Sequence, residues 1–545
     1  MEPRGAHGRR AKVSAGPPAA RLLRVRDARR RQRQRRGRPE AGQAAARREG
    51  EGQSDPLQRL GWVDVPAAAA AAYPRLPVGA ARRRHHDDRA LEQGRRHRRR
   101  LRPAPRAGPR VTRTVAFATL GCRLNQVDGQ EMQAALEARG FRAVPFDEPA
   151  DVVVVNTCTV TARADFSDRQ AIQRATRGHP RARVVVTGCW AQTDPDAVAR
   201  VRGVDLVVGN ADKARLPEMV ADLLDDRLAL RVHVSDIRDV RSLAPAPRSE
   251  TQRTRAFVKV QDGCQHRCAF CIVPLARGGS RSRDPKVVLD QVRVLVEAGH
   301  VEVVLTGIDL GHYGFDLTPR TTLAALLRAM VEIPGLRFVR LSSVLPAYFT
   351  TELLDVVTGS PVIAPHLHIP LQSGSDRVLR RMRRPYTVAM YRALVERLAN
   401  AIPRLGLGAD VIVGFPGETD DDFEATRTLV STLPFTYLHV FGYSDRRATE
   451  AARLDGHVQA RVITARSRTL RALSRTKSLE FRRALVSTVQ DVLVLERRER
   501  GAGALAGLTG NYVEVTFDGP DTLRRRLARV RITAVDGDTT QGELE

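Results

Sequence analysis

An α/β chain with an all-β carboxyl-terminal end is predicted by three observations. Two series of short apolar runs alternate with helical stretches, three further runs near the carboxyl terminus are bounded by Gly and Asp turns, and no stretch approaches the roughly 20 apolar residues that a membrane-spanning helix requires. At 545 residues the chain exceeds a single hydrophobic core, so two to four domains are expected. The reading is an amino-terminal parallel-sheet domain over 113–225, a linker over 226–250, a central partial (βα)6 barrel over 251–485 and a small all-β barrel over 486–545.

Residues 1–112 stand apart. Residues 1–110 hold 30 of the 90 Lys+Arg but only 10 of the 61 Asp+Glu, so most of the net charge of +29 lies in the first fifth of the chain. Rich in Ala, Arg, Pro and Gly, with Trp62 and Tyr73 as its only aromatics, the segment lacks the apolar surface to fold. It reads as a disordered extension or as sequence ahead of a misassigned start, since order begins at "VTRTVAFATLGCRLNQ" and Val111 fits an alternative start.

Over 113–225, "TVAFATLG", "DVVVVNT" and "ARVVVTG" read as buried strands, and "NQVDGQEMQAALEARG" as a helix closed by Gly140. Each strand ends in a polar loop carrying one cysteine: Cys122, Cys158 and Cys189. Ligands of open α/β sheets sit outside the carboxyl ends of the strands, so three cysteines remote in sequence can converge there. The stretch 226–250, ending "SLAPAPRSE", has the Pro and polar content of a linker.

The second series offers six strands: "AFVKV", "VEVVLTG", "RFVRLSS", "HLHIPL", "GADVIVGF" and "YLHVFGYS". Six βα units predict a barrel or partial barrel with its site at the carboxyl ends of the strands. Residues 456–485 form a basic helical stretch, and "STVQDVLVLE", "LTGNYVEVTF" and "ARVRITAV" supply the final barrel.

The loop after the first barrel strand, "DGCQHRCAFCIVPLARGGSRSR", holds Cys264, Cys268 and Cys271 as C-x3-C-x2-C. Six cysteines in a chain of this size make no disulfide scaffold; a reducing cytosol and metal chemistry are the expectation. A structural zinc site is the simpler alternative, with His266 as fourth ligand, but the paired spacings of zinc ribbons and fingers are absent. The other reading is a 4Fe–4S cluster held by three thiolates, with one iron left open.

With Phe270 just before the last cysteine, this loop resembles that of the radical S-adenosylmethionine enzymes, whose open iron chelates S-adenosylmethionine. The resemblance extends over 113–545 to one family, the radical S-adenosylmethionine methylthiotransferases. "TLGCRLNQVDGQEM", "VVVVNTCTVT", "VVVTGCWAQ", "VVLTGIDLGHYG", "HLHIPLQSGSDRVLRRMRR", "DVIVGFPGET" and "FGYSDRRATEA" follow in family order. It implies a TIM-like radical S-adenosylmethionine barrel, a TRAM-like RNA-binding barrel at the carboxyl end, and two 4Fe–4S clusters. Cys122, Cys158 and Cys189 then hold one cluster and Cys264, Cys268 and Cys271 the other.

Further candidates lie at strand ends. Thr306, Gly307, Gln372, Ser373 and Gly414 are read, with Phe270, as cofactor contacts, although a Gly at a turn is as often merely conformational. Gly417, Asp410 and Glu418 lie in the same "GADVIVGFPGE" stretch, and His366 and His368 are read equally as core or active residues. No catalytic side chain is assigned beyond the cluster ligands.

Within the family, "LGCRLNQ" and "FGYSDRRATEA" look most like the branch acting on threonylcarbamoyladenosine at position 37 of tRNA. The isopentenyladenosine branch and the branch modifying a ribosomal-protein aspartate are the alternatives; Arg123 and Leu124 stand where the latter typically has Pro-Lys. An RNA-binding protein with purely structural metal sites is the non-enzymatic alternative. Arg524, Arg525, Arg526, Arg529 and Arg531 are the candidate phosphate contacts, although residues 487–545 carry eight Arg against ten Asp+Glu. The implied partners are tRNA, an electron donor such as flavodoxin or ferredoxin, and a sulfur source, in the cytoplasm and without a membrane.

Overall fold

The computed structural model describes residues 112–243, 253–498 and 503–545. The expected extension, up to residue 111, and the Pro-rich end of the expected linker, 244–250, lie outside the described residues.

The first domain comprises β1 (Thr114–Thr119), α1 (Arg123–Glu137), β2 (Arg142–Val144), β3 (Val152–Thr157), α2 (Ala162–Gly178) and β4 (Arg183–Gly188). It continues with α3 (Cys189–Thr193), α4 (Pro195–Ala199), β5 (Leu206–Val208), α5 (Leu216–Leu224) and β6 (Val232–His233). The strands form one parallel sheet in the order β2-β1-β3-β4-β5-β6. The unbroken valine runs are explained by helices on both faces. Val153, Val155, Val184 and Val186 pack one way, while Val152, Val154 and Val185 pack the other. Sequence reading finds three of the six strands; β2, β5 and β6 have two or three residues, too few to show a period. The stretch read as a linker supplies β6 and buries Ile237.

The second domain runs β7 (Ala256–Lys259), β8 (Gln261–Asp262), α6 (Val273–Arg277), β9 (Arg281–Ser282), α7 (Pro285–Glu297), β10 (Glu302–Thr306), α8 (Leu323–Val331) and β11 (Phe338–Leu341). After these come α9 (Thr351–Gly359), β12 (His366–His368), α10 (Asp376–Arg381), α11 (Val388–Ala401), β13 (Gly406–Val413), α12 (Asp420–Thr432), β14 (Tyr437–Gly442) and α13 (Ala460–Arg483). All six expected barrel strands are present, in two parallel sheets, β11-β10-β7 and β12-β13-β14. A Val339–Ile363 bridge and a Val344 N–H donating to His368 O at 3.1 Å join the sheets. Among the described residues no ladder joins β7 to β14, so the barrel is partial. Its open β7 side is covered by α1, where Lys259 Nζ lies 2.7 Å from both Asp128 and Glu131. The β8–β9 clasp holds both ends of the three-cysteine loop.

The third domain closes β15 (Val489–Arg498), β16 (Leu505–Thr509), β17 (Glu514–Phe517), β18 (Leu527–Asp536) and β19 (Thr539–Leu544) into a barrel in the order β15-β16-β17-β19-β18. Val492, Val494, Leu505, Val515, Phe517, Val530 and Ile532 fill it. Its β16–β17 turn enters the central barrel at the leading ends of the strands. There the fully buried Arg340 grips Glu302 through two bonds of 2.9 and 3.2 Å and donates to Gly510 O at 2.8 Å. A side chain at Gly406 would lie 2.1 Å from Asn511 O, so the turn seats directly on backbone. Among the described residues no helix is long and apolar enough to cross a membrane.

Candidate metal centres and substrate lumen

Cys122, Cys158 and Cys189 follow β1, β3 and β4, three neighbours in the sheet, so parallel pairing alone brings their loops to one edge. Two glycines permit the approach. Gly121 has φ +91°, and a Cβ there would lie 2.6 Å from Cys158 Cβ and 2.8 Å from its Sγ. At Gly188, with φ +102°, an added Cβ would lie 2.4 Å from Thr157 O and 2.5 Å from Thr157 N. Gly188→Ala is expected to cost about 2 kcal/mol or more through backbone strain and overpacking. Thermal unfolding with iron analysis checks it: an unchanged midpoint and iron content would show that the close approach is dispensable.

Polar side chains lock this edge. Asn125 Nδ2 donates to Leu120 O at 2.6 Å and Thr157 O at 2.9 Å, and Asp168 Oδ2 accepts from Cys158 N at 3.0 Å. Burial raises the Asp168 carboxyl to about 8 and pushes the Cys158 thiol up to about 12. A thiol so placed keeps its proton until a metal takes the sulfur.

The second triplet lies at the carboxyl end of β7, in the loop the β8–β9 pair clasps. Cys264 N donates to Gly278 O and Ala269 N to Met382 O, at 3.0 and 3.1 Å. Arg384 Nη1 lies 3.2 Å from Cys268 Sγ, and the Cys264 thiol faces Asp309 Oδ2 at 3.8 Å. Asp309 also accepts from Tyr348 OH at 3.2 Å; burial raises its carboxyl to about 6. His266, which the zinc reading offers as a ligand, places Nε2 2.9 Å from Tyr348 OH and is depressed to about 4 by burial and by Arg384. Burial also raises Cys271 to about 11.

The spacing of the sulfurs bears on the metal. A single zinc ion with Zn–S bonds of about 2.3 Å requires its sulfurs within about 4.6 Å of each other. Among the described residues neither triplet has all three sulfurs within 4.8 Å of one another. At least one sulfur pair in each triplet is thus wider than a single zinc ion spans, a spacing a multi-iron cluster can bridge.

The two triplets are physically linked. Asn210 Nδ2 lies 3.7 Å from Cys189 Sγ and donates to Ala276 O at 2.7 Å. The next residue, Arg277, is fully buried; it donates to both Asp262 oxygens at 3.0 Å, to Asn125 Oδ1 at 3.0 Å and to Asp128 Oδ2 at 2.9 Å. Burial works against its charge, but Asp262, Cys189, Asp128 and Cys122 outweigh it and hold its pKa well above the ordinary value.

The remaining sequence candidates fall into two groups. Phe270 packs edge-on against Phe415 with centroids 6.4 Å apart, and Thr306 and Gly307 end β10 beside Gln261. Gln261 ties the loop by donating to Gly263 O at 2.7 Å and accepting from Asp309 N at 2.8 Å. Gln372 has φ +65°, a costly conformation for a residue with a side chain, and its buried Oε1 has no hydrogen-bond partner among the described residues.

Two candidates also touch the helices behind the sheet. Ser373 is fully buried, 3.4 Å from Thr426 Oγ1, and accepts from Ser375 N; at Gly414 an added Cβ would lie 2.3 Å from Ile463 of α13, so the helix requires a glycine there. The arginines of the last barrel do not form an open cationic patch. Arg524 pairs with Asp521 and Arg525 with Glu496 ahead of β18, while Arg529 and Arg531, two apart on one face of β18, both reach Glu545. Arg526 is exposed.

Sequence reading misses Arg277, Arg384, Asp309 and Tyr348, which only tertiary structure brings to the cysteines. It leaves the lumen histidines undecided. His368 and His439 lie 3.4 and 3.2 Å from Asp410 Oδ1, with His368 Nδ1 2.8 Å from Ser343 Oγ. Burial opposes the Asp410 charge, but the two histidines hold the carboxyl below its ordinary range.

Two family models match: Uncharacterized protein family UPF0004 over residues 114–209 and the Radical SAM superfamily over 258–430. The threonylcarbamoyladenosine tRNA methylthiotransferase MtaB of Bacillus subtilis (strain 168) is 38% identical over 437 residues, 79% of this chain and 96% of that protein. The protein of the same name from Aquifex aeolicus (strain VF5) is 40% identical over 408 residues, 74% and 97% of the two chains. A tRNA-2-methylthio-N(6)-dimethylallyladenosine synthase of Mycobacterium bovis is 38% identical over 418 residues, 74% and 81%. Identity sustained across both matched domains, over nearly the full length of the two MtaB proteins, makes the chain a member of the radical S-adenosylmethionine methylthiotransferase family, in the branch of the MtaB proteins.

Proposed function

We propose that this chain adds a methylthio group to carbon 2 of N6-threonylcarbamoyladenosine at position 37 of tRNA, with S-adenosylmethionine and two 4Fe–4S clusters as cofactors. Cys122, Cys158 and Cys189 hold one cluster and Cys264, Cys268 and Cys271 the other. The observation that carries the reading is the coupling of two cysteine triplets, each at strand ends of a parallel sheet, through Asn210 and the buried Arg277. The relatives' names supply the nucleoside.

When bound, the cluster at Cys264, Cys268 and Cys271 supplies the electron that cleaves S-adenosylmethionine to a carbon radical, reactivity that protein side chains lack. The chain supplies orientation and exclusion of water. Arg384 places a cation beside Cys268, where it balances thiolate charge. Asp309, Tyr348 and His266 fix the first turn of the loop, and neutral His266 adds no charge there. The lumen is closed at the leading ends of its strands by the β16–β17 turn and on the β7 side by α1. Asp410 Oδ1 bonds His439 Nδ1 at 3.2 Å and stands 3.4 Å from His368 Nε2, so its carboxylate sits between the two rings on the lumen side of the sheet. An electron donor of the flavodoxin or ferredoxin class and a sulfur source complete turnover in the cytoplasm.

Mass spectrometry of tRNA nucleosides from a strain lacking the gene tests the substrate. The expected result is loss of the 2-methylthio form of threonylcarbamoyladenosine with the isopentenyl species retained; the opposite pattern would refute the assignment.

A further inference from the structure

Where the start of α1 meets the start of β7 and the last barrel, residues of the three domains line an open cleft of about 540 Å³, a size suited to a small organic group. Arg123, Arg253, Arg255 and Arg497 line it together with Phe257 and Tyr512. Arg123 is the residue after Cys122 and donates to Tyr512 OH. The guanidinium groups of Arg123, Arg255 and Arg340 stand 5.7, 5.7 and 5.1 Å from the centre of the one Tyr512 ring.

Charge around that ring does not balance. Glu302 is already held by two bonds from Arg340, with Arg255 3.9 Å from it, and Glu496, which also lines the cleft, faces Arg525 at 3.6 Å. Arg255 Nη1 is buried without a hydrogen bond among the described residues. Buried guanidinium N–H groups left without acceptors are costly, and three like charges on one ring add to that cost. His366, stacked on Tyr512 with centroids 4.3 Å apart, registers the surplus: its burial first, then Arg340, His368, Arg123 and Arg255, hold it well below its ordinary range.

From this arrangement we infer that Arg123 and Arg255, braced on Tyr512, form a cradle for the carboxylate of the threonylcarbamoyl substituent on the target adenosine. The inference rests on the function proposed above and adds the residues that choose the nucleoside. A guanidinium pairs with a carboxylate through parallel N–H bonds, and Phe257 and Tyr512 offer apolar walls for the aliphatic part of the amino-acid group. An isopentenyl substituent carries no charge and would leave Arg255 Nη1 unsatisfied. A site built to hydrogen-bond a substrate group rejects analogues lacking it far more strongly than an apolar pocket rejects a small difference in size.

Binding of two tRNAs, one bearing threonylcarbamoyladenosine and one bearing unmodified adenosine at position 37, tests this by fluorescence anisotropy on anaerobically reconstituted protein. The wild type is expected to prefer the modified tRNA at least tenfold. Arg123→Gln and Arg255→Gln are each expected to reduce that ratio about tenfold, in line with hydrogen bonds to charged groups of about 1.5–3 kcal/mol. Iron content is measured on every variant; if Arg123→Gln loses iron through its proximity to Cys122, Arg255→Gln decides. A ratio maintained in the variants overturns the cradle, and so does an equal loss for both tRNAs, which would assign the arginines to backbone phosphate. Failure of the wild type to thiomethylate the modified tRNA would count instead against the proposed function.

Discussion

Anaerobically reconstituted protein is expected to carry about eight irons per chain and to fall to about four when Cys264, Cys268 and Cys271 are replaced together by Ala. That variant should also lose all cleavage of S-adenosylmethionine. Replacing Cys122, Cys158 and Cys189 together should likewise leave about four irons, with cleavage retained and no methylthiolated nucleoside formed. The halves should be separable because each loop is anchored on its own scaffold. Cys158 is held by Asp168 within the first sheet, whereas Cys264 and Ala269 hang on Gly278 and Met382 of the barrel. Iron analysis and absorption near 400 nm read the result without reference to turnover. Colourless protein containing zinc, or a triple variant that keeps all its iron, would remove the basis of the two-centre reading.

Arg277→Met is expected to produce the largest loss of stability of any single substitution at the junction of the first two domains. The guanidinium holds Asp262, Asp128 and Asn125 at about 3 Å, and both carboxylates are buried. Removing one member of a buried ionic group while leaving the others typically costs about 3–5 kcal/mol, because unpaired charge stays in a low-dielectric site. Lys213 and Lys259 also bind Asp128, at 2.8 and 2.7 Å, and would offset part of that loss; Asp262 has Arg281 only at 4.0 Å. The exposed pair Arg139–Glu218, at 2.8 Å, provides the comparison, where Arg139→Met should cost under about 1 kcal/mol. Urea denaturation followed by circular dichroism measures both, and equal midpoints for the two variants would show that the buried network contributes nothing special. Arg277→Met should also lower retention of iron at Cys122 and Cys189, which lie within the electrostatic reach of the guanidinium.

The sequence reveals the cysteine loops and the long strands for one physical reason: both are written in contiguous residues. Valine runs such as Val152–Val155 are apolar on every position because the sheet is covered twice, and that pattern needs no partner to be read. β6, with two residues, is strand only because Val207 and Val208 lie beside it, so composition made its neighbourhood look like a linker. Ser373 and Gly414 sit at strand ends as the motif suggests, but whether a strand end faces a cofactor or a packed helix depends on α12 and α13, which no local pattern encodes. The arginines of the last barrel illustrate the same limit. Five positive charges in eight residues look like a phosphate grip, yet Asp521 and Glu496 face two of them and Glu545 faces two more, acids that only the folded barrel brings near. Arg277 is the converse case: it stands unremarked in an arginine-rich loop, and only the approach of α1 turns it into the buried hub of the junction.

The turn from Gly510 to Tyr512 gives the terminal module a duty beyond its own fold. Because Arg340 grasps its carbonyl and Tyr512 stacks on His366 inside the central chamber, this module acts as a stopper. Shortening the chain before residue 489 would therefore uncork the chamber floor and admit solvent where a short-lived radical must survive. A truncated enzyme would then waste S-adenosylmethionine in unproductive cycles, cleaving it without a matching yield of methylthiolated nucleoside.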